Sequence, residues 1–201
     1  MRLIPYVVCA SLFAVPVSAQ LVVTGKVLQN SGPCVSFASH AIECTPLQLT
    51  TSNPAINLAS FENQVVEVTG TVSFPCGSVM DVQSISASSA FTVLSAPGGT
   101  GLGQMLTFTT TTPAGSYVSY LFGDPGFLPM GESGTFFLSI LFLVDLGWNI
   151  SATGTDVVSV PIPNDVTLVG LTGHYQFVST TLSNGVVSSQ VLNPICVTVT
   201  L

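Results

Sequence analysis

No stretch of this chain constrains its fold more than SVPIPNDVTLVGLTGHYQFVST, Ser159 to Thr180, where two extended runs flank a Pro-Asn-Asp corner. Pro161 and Pro163 lock φ and carry no N–H, so the segment cannot lie within a central ladder, and Asn164-Asp165 closes a turn with its own side chains. A strand therefore ends near Val160. Beyond the corner, Val166, Leu168 and Leu171 are expected to re-enter the core, with Gly170 and Gly173 permitting bends. From His174 to Thr180 the residue types alternate with period two. Tyr175 and Phe177 fall on one face of a strand, and His174, Gln176 and Val178 on the other.

The same period runs through the rest of the chain, which has no sustained helical periodicity. Leu21 to Gln29, Leu47 to Thr51, Val65 to Val72, Val79 to Ser86 and Phe91 to Leu94 read as five short strands, with a loop from Asn30 to Glu43 holding Cys34 and His40. Their spacing suits a small OB-like five-stranded barrel. Four glycines and a proline in Ser95–Gly103 then break the pattern and read as a linker. Beyond it, MLTFTT, SYVSYLF, the apolar run TFFLSILFLVDL, VVSVPI, GHYQFVST, VVSSQV and ICVTVTL predict an antiparallel β-sandwich of seven strands. The fold class is all-β, divided into a barrel module at 20–94, a linker at 95–103 and a sandwich module at 104–201. Within the sandwich, Thr135 to Leu146 predicts a doubly covered core strand, closed by Asp145 and Gly147.

Residues 1–19 combine Met1-Arg2, an apolar run broken by Pro5 and Pro16, and small residues at Val17-Ser18-Ala19; they read as a secretory signal peptide. The expected mature protein begins at Gln20 and is secreted or held at the cell surface, with Cys9 discarded. No later run reaches the length of a membrane-spanning helix. After the leader Lys26 is the one basic residue against nine acidic ones, so nothing can neutralise a phosphate backbone. Nucleic acid is excluded as a partner and anionic membranes are disfavoured. With charged residues at 5%, the surface must be covered by hydroxyls and amides, as in many exported β-proteins.

Four cysteines remain, Cys34, Cys44, Cys76 and Cys196, and export favours disulfides among them. Spacing leaves the pairing open. If the modules are independent, one bridge forms among the first three, and the remaining pair is either a cross-module bridge or two thiols.

Two sets of motifs resemble a known group. GDPGFLPMGESGTFFLSI, VSVPIPNDVTLVGLTGHYQFV and the terminal VTVTL are similar to the C-terminal β-domain of exported two-module proteins of planctomycete type, and LASFENQ-VVEVTGTV resembles their OB-like module. Nearly all of the chain after the leader is covered. The resemblance implies the two-module fold, no transferable catalytic residue and no cofactor. Cys196 departs from it, since the terminal strand of that group is expected to lack cysteine.

Few residues carry candidate chemistry. His40, Asp81 and Ser133 stand in the chain order of a chymotrypsin-like triad, but Thr135 stands where GDSGG has its second glycine, and the set would have to span the linker. Cys34, His40, Cys44 and Cys76 have zinc-ligand types at C-x5-H-x3-C without a C-x2-C knuckle. Glu62 with Glu67, or Glu132 with Asp145, would supply paired carboxylates, and Asp145, Asp156 and Asp165 lie near strand ends where calcium could be held. The bland alternatives fit each set better: turns and solvated strand faces for Ser133 and the acids, and a disulfide with a surface or cap-bonding histidine for the cysteine set. Trp148 with Tyr117 and Tyr120 forms a candidate ligand face suited to a sugar ring, and Asn149-Ile150-Ser151 is a glycosylation sequon. His174 has no acid or nucleophile beside it. The expectation is a non-enzymatic exported interaction module binding polysaccharide or another exported protein; the competing class is a secreted hydrolase using Ser133 or an acidic pair.

Overall fold

The computed structural model describes residues 20–32, 35–88, 92–95 and 100–201. The proposed leader and Cys34 lie outside them. The described chain is all-β, and no helix within it is long and apolar enough to cross a membrane.

The first module is a closed barrel of β1 (Leu21–Gln29), β2 (His40–Ile42), β3 (Leu47–Thr50), β4 (Val65–Ser73) and β5 (Ser78–Ala87), in the order β1-β2-β3-β5-β4. All pairs are antiparallel except β3 with β5. Alternate residues point inward, so Val23 and Val27, Val66 and Val68, and Met80 and Val82 fill the core. Gly70 lets the barrel close: a side chain there would strike the Asp81 carbonyl and Met80, and the β4–β5 register shifts at Thr69/Gly70. Leu58, on a short 3-10 turn capped by Asn57, joins the barrel core between β3 and β4.

The barrel corrects the expected strand list. Its fifth member is β2, three residues inside what reads as a loop. The strand near Phe91 to Leu94 is instead β6 (Thr92–Ser95), which pairs with β7 (Met105–Thr111) in the other module. Of the expected linker, residues 96–99 lie outside the described set, and Gly101 bridges Thr200.

The second module is a sandwich. One sheet has the order β10-β7-β6, with β10 spanning Thr155–Pro161. The other runs β12-β11-β8-β9, from β8 (Ser116–Pro129), β9 (Thr135–Ser151), β11 (Thr172–Ser183) and β12 (Val186–Val191), while β13 (Ile195–Thr198) also pairs with β11. Leu106 and Phe108 from the first sheet meet Val118, Tyr120, Phe177 and Val197 from the second. Tyr175 and Phe177 face this core, as their alternation predicts, and their rings pack against Phe108 at 5.0 and 5.2 Å.

Two expectations about burial fail. Val166 and Leu171 are largely exposed after the corner, because the chain there makes only a 3-10 turn, Val166–Leu168, capped by Asp165. More consequentially, Thr135–Leu146 is not a doubly covered strand. Thr135 to Leu138 are buried, while Ile140, Leu141 and Phe142 are 66%, 80% and 65% exposed.

The cause lies in the β8–β9 register. Gly123 pairs with Leu143 but Pro125 with Leu138, so Ser139–Phe142 is forced out as a bulge. Gly126 permits the crossing, since a Cβ there would sit 2.7 Å from the Leu138 carbonyl carbon and the Ser139 nitrogen. Beyond this elbow the tip of the hairpin lies over the outer face of its own sheet. There Phe136 and Leu138 pack with Leu121, Val178 and Val191. Phe137 enters the barrel core, its ring 5.8 Å from Phe127. Gln176 fixes this tip: its amide oxygen accepts from the Phe137 N–H at 2.7 Å, and its Nε2 donates to the Thr135 and Leu192 carbonyls at 3.1 Å each. A residue placed by alternation on a polar face is therefore fully buried.

Thr135 donates its hydroxyl to the Val22 carbonyl at 2.8 Å, and Cys44–Cys196 bridges barrel and sandwich with a Cα–Cα distance of 5.4 Å. Of the pairings left open by spacing, the cross-module bridge is present. Cys76 is also disulfide-bonded.

Candidate functional site

The sequence candidates for catalysis and metal binding are dispersed. His40 lies on β2 and is buried; its Nδ1 is 2.8 Å from the Ser39 hydroxyl and its Nε2 3.0 Å from Glu62 Oε1. Asp81 instead accepts from the Ser52 N–H and hydroxyl at 2.7 and 2.8 Å, and Ser133 sits on a separate 3-10 turn, Gly131–Ser133. His40, Asp81 and Ser133 are thus not joined as a triad. Cys44 and Cys76 are engaged in disulfides, which removes them from a thiolate zinc set.

Glu62 is occupied by His40, whereas Glu67 stands on the exposed face of β4. The three aspartates near strand ends each serve a local bond. Asp145 accepts from the Gly147 N–H at 2.8 Å, and Asp165 from the Thr167 N–H and hydroxyl. Those two donors hold the Asp165 carboxyl below its ordinary pKa. Asp156 accepts from Asn149 Nδ2 at 2.5 Å and from the Tyr120 hydroxyl at 3.2 Å. Among the described residues no three His, Cys, Asp or Glu side chains are grouped as a metal site.

The aromatic candidates, Tyr117 and Tyr120 on β8 and Trp148 on β9, divide between two faces of one sheet. Tyr117 and Trp148 lie on the outer face and stack, with ring centroids 4.9 Å apart and planes inclined by 26°. Trp148 remains 58% exposed. Tyr120, three residues from Tyr117, faces the inter-sheet core and is buried, so it does not belong to that ligand face. Burial, reinforced by the Asp156 carboxylate, pushes its phenol well above the ordinary value. The sequon asparagine, Asn149, is exposed on β9 beside this pair.

Two further features were not foreseen from sequence. The first is the outer half of β9. It forms an edge of its sheet, with β8 as its only strand neighbour among the described residues. From Ile140 to Ile150 it exposes large apolar side chains, continuous at one end with the stacked Trp148 and Tyr117. A long apolar edge with free backbone groups is a ready template for another chain.

The second is an open cleft of about 600 Å³ between the two sheets, at the Pro161–Pro163 corner. Leu106, Val160 and Ile162 wall one side and Phe122, Tyr175 and Val197 the other, with Leu146, Leu168 and Leu171 toward the opening. Asp124 and Tyr175 are its only titratable side chains among the described residues. A smaller space of about 200 Å³ beside the Cys44–Cys196 bridge is lined by Lys26 and Glu43, which pair at 3.5 Å.

No family model matches the chain, and no curated protein or solved structure is similar to it at the level required of a match.

Proposed function

We propose that the protein is an exported, non-enzymatic interaction module of the planctomycete two-module type, which engages another exported protein along the outer half of β9. The observation that carries this reading is the run from Ile140 to Ile150, apolar, exposed and on a sheet edge. A strand from a partner would satisfy its free N–H and C=O groups while covering Ile140, Leu141 and Phe142. The elbow offers apolar contact with few polar groups, which favours protein over polysaccharide. Trp148 stacked on Tyr117 supports a sugar ring as the other ligand class. The scarcity of basic residues argues against nucleic acid.

The test pairs a glycan array with a pull-down from the cell envelope, using the wild type, Trp148→Ala and an Ile140→Ser/Leu141→Ser/Phe142→Ser variant. A protein partner lost with the triple variant and kept by Trp148→Ala supports the reading. Glycan binding abolished by Trp148→Ala alone would move the function to polysaccharide.

The second reading, a secreted hydrolase, rests on the hydrogen-bonded chain Ser39–His40–Glu62, in which a hydroxyl, an imidazole and a carboxylate follow one another. Neither cleft described above is lined by these residues. Esterase turnover or fluorophosphonate labelling that disappears in Ser39→Ala would establish it.

A further inference from the structure

The cleft between the sheets shares only Leu146 with the exposed half of β9 and calls for its own occupant. Its volume of about 600 Å³ lies in the range that holds a small organic molecule. Leu106, Val160, Ile162, Phe122 and Val197 offer it only aliphatic and aromatic surface, so the body of any ligand must be apolar. Among the described residues its polar side chains are Asp124, Tyr175 and Thr172, and the Thr172 hydroxyl is already bonded to that of Thr198 at 2.8 Å.

These polar groups set the chemistry of the ligand's other end. Asp124 is exposed, and neither its carboxylate nor the Tyr175 hydroxyl has a hydrogen-bond or ion-pair partner among the described residues. Burial raises the Tyr175 pKa, so the phenol stays protonated at neutral pH. Among the described residues no lysine, arginine or histidine lines the cleft. A fatty acid carboxylate would therefore meet a negative charge and find no cation, whereas an ammonium, alcohol or amide would meet an unpaired acceptor.

We propose that this cleft binds an apolar small molecule whose polar end is a cation or a neutral hydrogen-bond donor, the class of long-chain amines and alcohols, with Asp124 receiving that end. Leu146, Leu168 and Leu171 lie where the ligand's exposed flank would emerge. The site does not rest on the partner-binding reading, since it uses the space between the sheets and takes only Leu146 from the outer half of β9.

The test uses the full chain after the leader and N-phenyl-1-naphthylamine, a neutral apolar fluorophore with one N–H donor. Fluorescence should rise to saturation, and dodecylamine and dodecanol, kept below micelle-forming concentrations, should displace the probe while dodecanoate does not. Asp124→Asn should weaken displacement by dodecylamine about fivefold and leave dodecanol nearly unchanged. Leu168→Trp, made on the rim where folding is not at stake, should abolish saturable binding by filling the opening.

The Ile140→Ser/Leu141→Ser/Phe142→Ser variant should bind the probe as the wild type does. Absence of saturable binding, displacement by dodecanoate as strong as by dodecylamine, or full binding by Leu168→Trp would each overturn the proposal. So would loss of the signal in the triple variant, which would place the probe on the elbow.

Discussion

The two halves of β9 have the same kind of sequence and opposite surroundings. Thr135–Leu138 lies between barrel and sandwich, held by Gln176, Val22 and the barrel core; Ile140–Ile150 carries side chains just as apolar on an open edge. The bulge at Ser139–Phe142 separates them. The contrast shows that an apolar run specifies only that something should cover it. In the first half the protein supplies that cover from its own two modules. In the second half the described residues supply no such cover, and the proposed partner-binding function is placed there for that reason.

The largest effects should come from the clamped half. Phe137→Ala removes a fully buried ring from the barrel core and should cost about 3–5 kcal/mol in denaturant unfolding. Gln176→Ala leaves the Phe137 N–H and the Thr135 carbonyl without partners, at about 1–3 kcal/mol for each buried group. A loss below about 1 kcal/mol in either variant would mean that the hairpin tip is not held as described.

Next comes the bridge between the modules. A Cys44→Ser/Cys196→Ser variant should lose about 2–4 kcal/mol, because the bridge closes a separation of 152 residues. In that variant exchange should quicken at 135–138, which both modules grip, and stay unchanged at 140–150. Peptide mapping of the unreduced wild type should recover the Cys44–Cys196 link.

The outer half should respond in the opposite sense. Ile140→Ser/Leu141→Ser/Phe142→Ser should change stability by no more than about 0.5 kcal/mol per site while removing partner binding. Substantial unfolding would show that these side chains are covered in the free protein.

The smallest effect belongs to the turn at the rim of the cleft. Thr167 holds the Asp165 carboxyl below its ordinary pKa, so the contribution of this cap is complete above the unfolded carboxyl's value and is lost as pH falls through the lower folded one. Acidification from about pH 6 to about pH 2 should lower the protection of the Thr167 amide, measured as its exchange relative to an unfolded chain at the same pH, with a far smaller change at 135–138. Equal sensitivity of both segments would indicate global acid unfolding instead.

Strand-level structure was legible wherever alternation reported a covered face. Leu21–Gln29 coincides with its expected range, and all seven expected sandwich strands are present. His40–Ile42 was not legible, because three residues are too few to show a period. Thr92–Ser95 looked like barrel sequence because nothing local records that its partner lies across Ser95–Gly103 in β7.

The site was less legible than the fold. Stacking of Tyr117 and Trp148 followed from two aromatics on neighbouring strands, but a three-residue offset turned Tyr120 to the opposite face. Gln176 carried no sign of burial, since what covers it folds back from a distant hairpin. The elbow depends on a register shift, and the cleft on the separation of two sheets; neither is a property of any short segment.

Hydrogen exchange along β9, resolved by residue, tests the division of this strand most directly. Strong protection is predicted at Phe136–Leu138 and rapid exchange at Ile140–Phe142 in the free protein, with the amides of 143–150 that face β8 protected throughout and those on the free edge gaining protection only when a partner binds. Uniform protection along Thr135–Ser151 in the isolated chain would contradict that division.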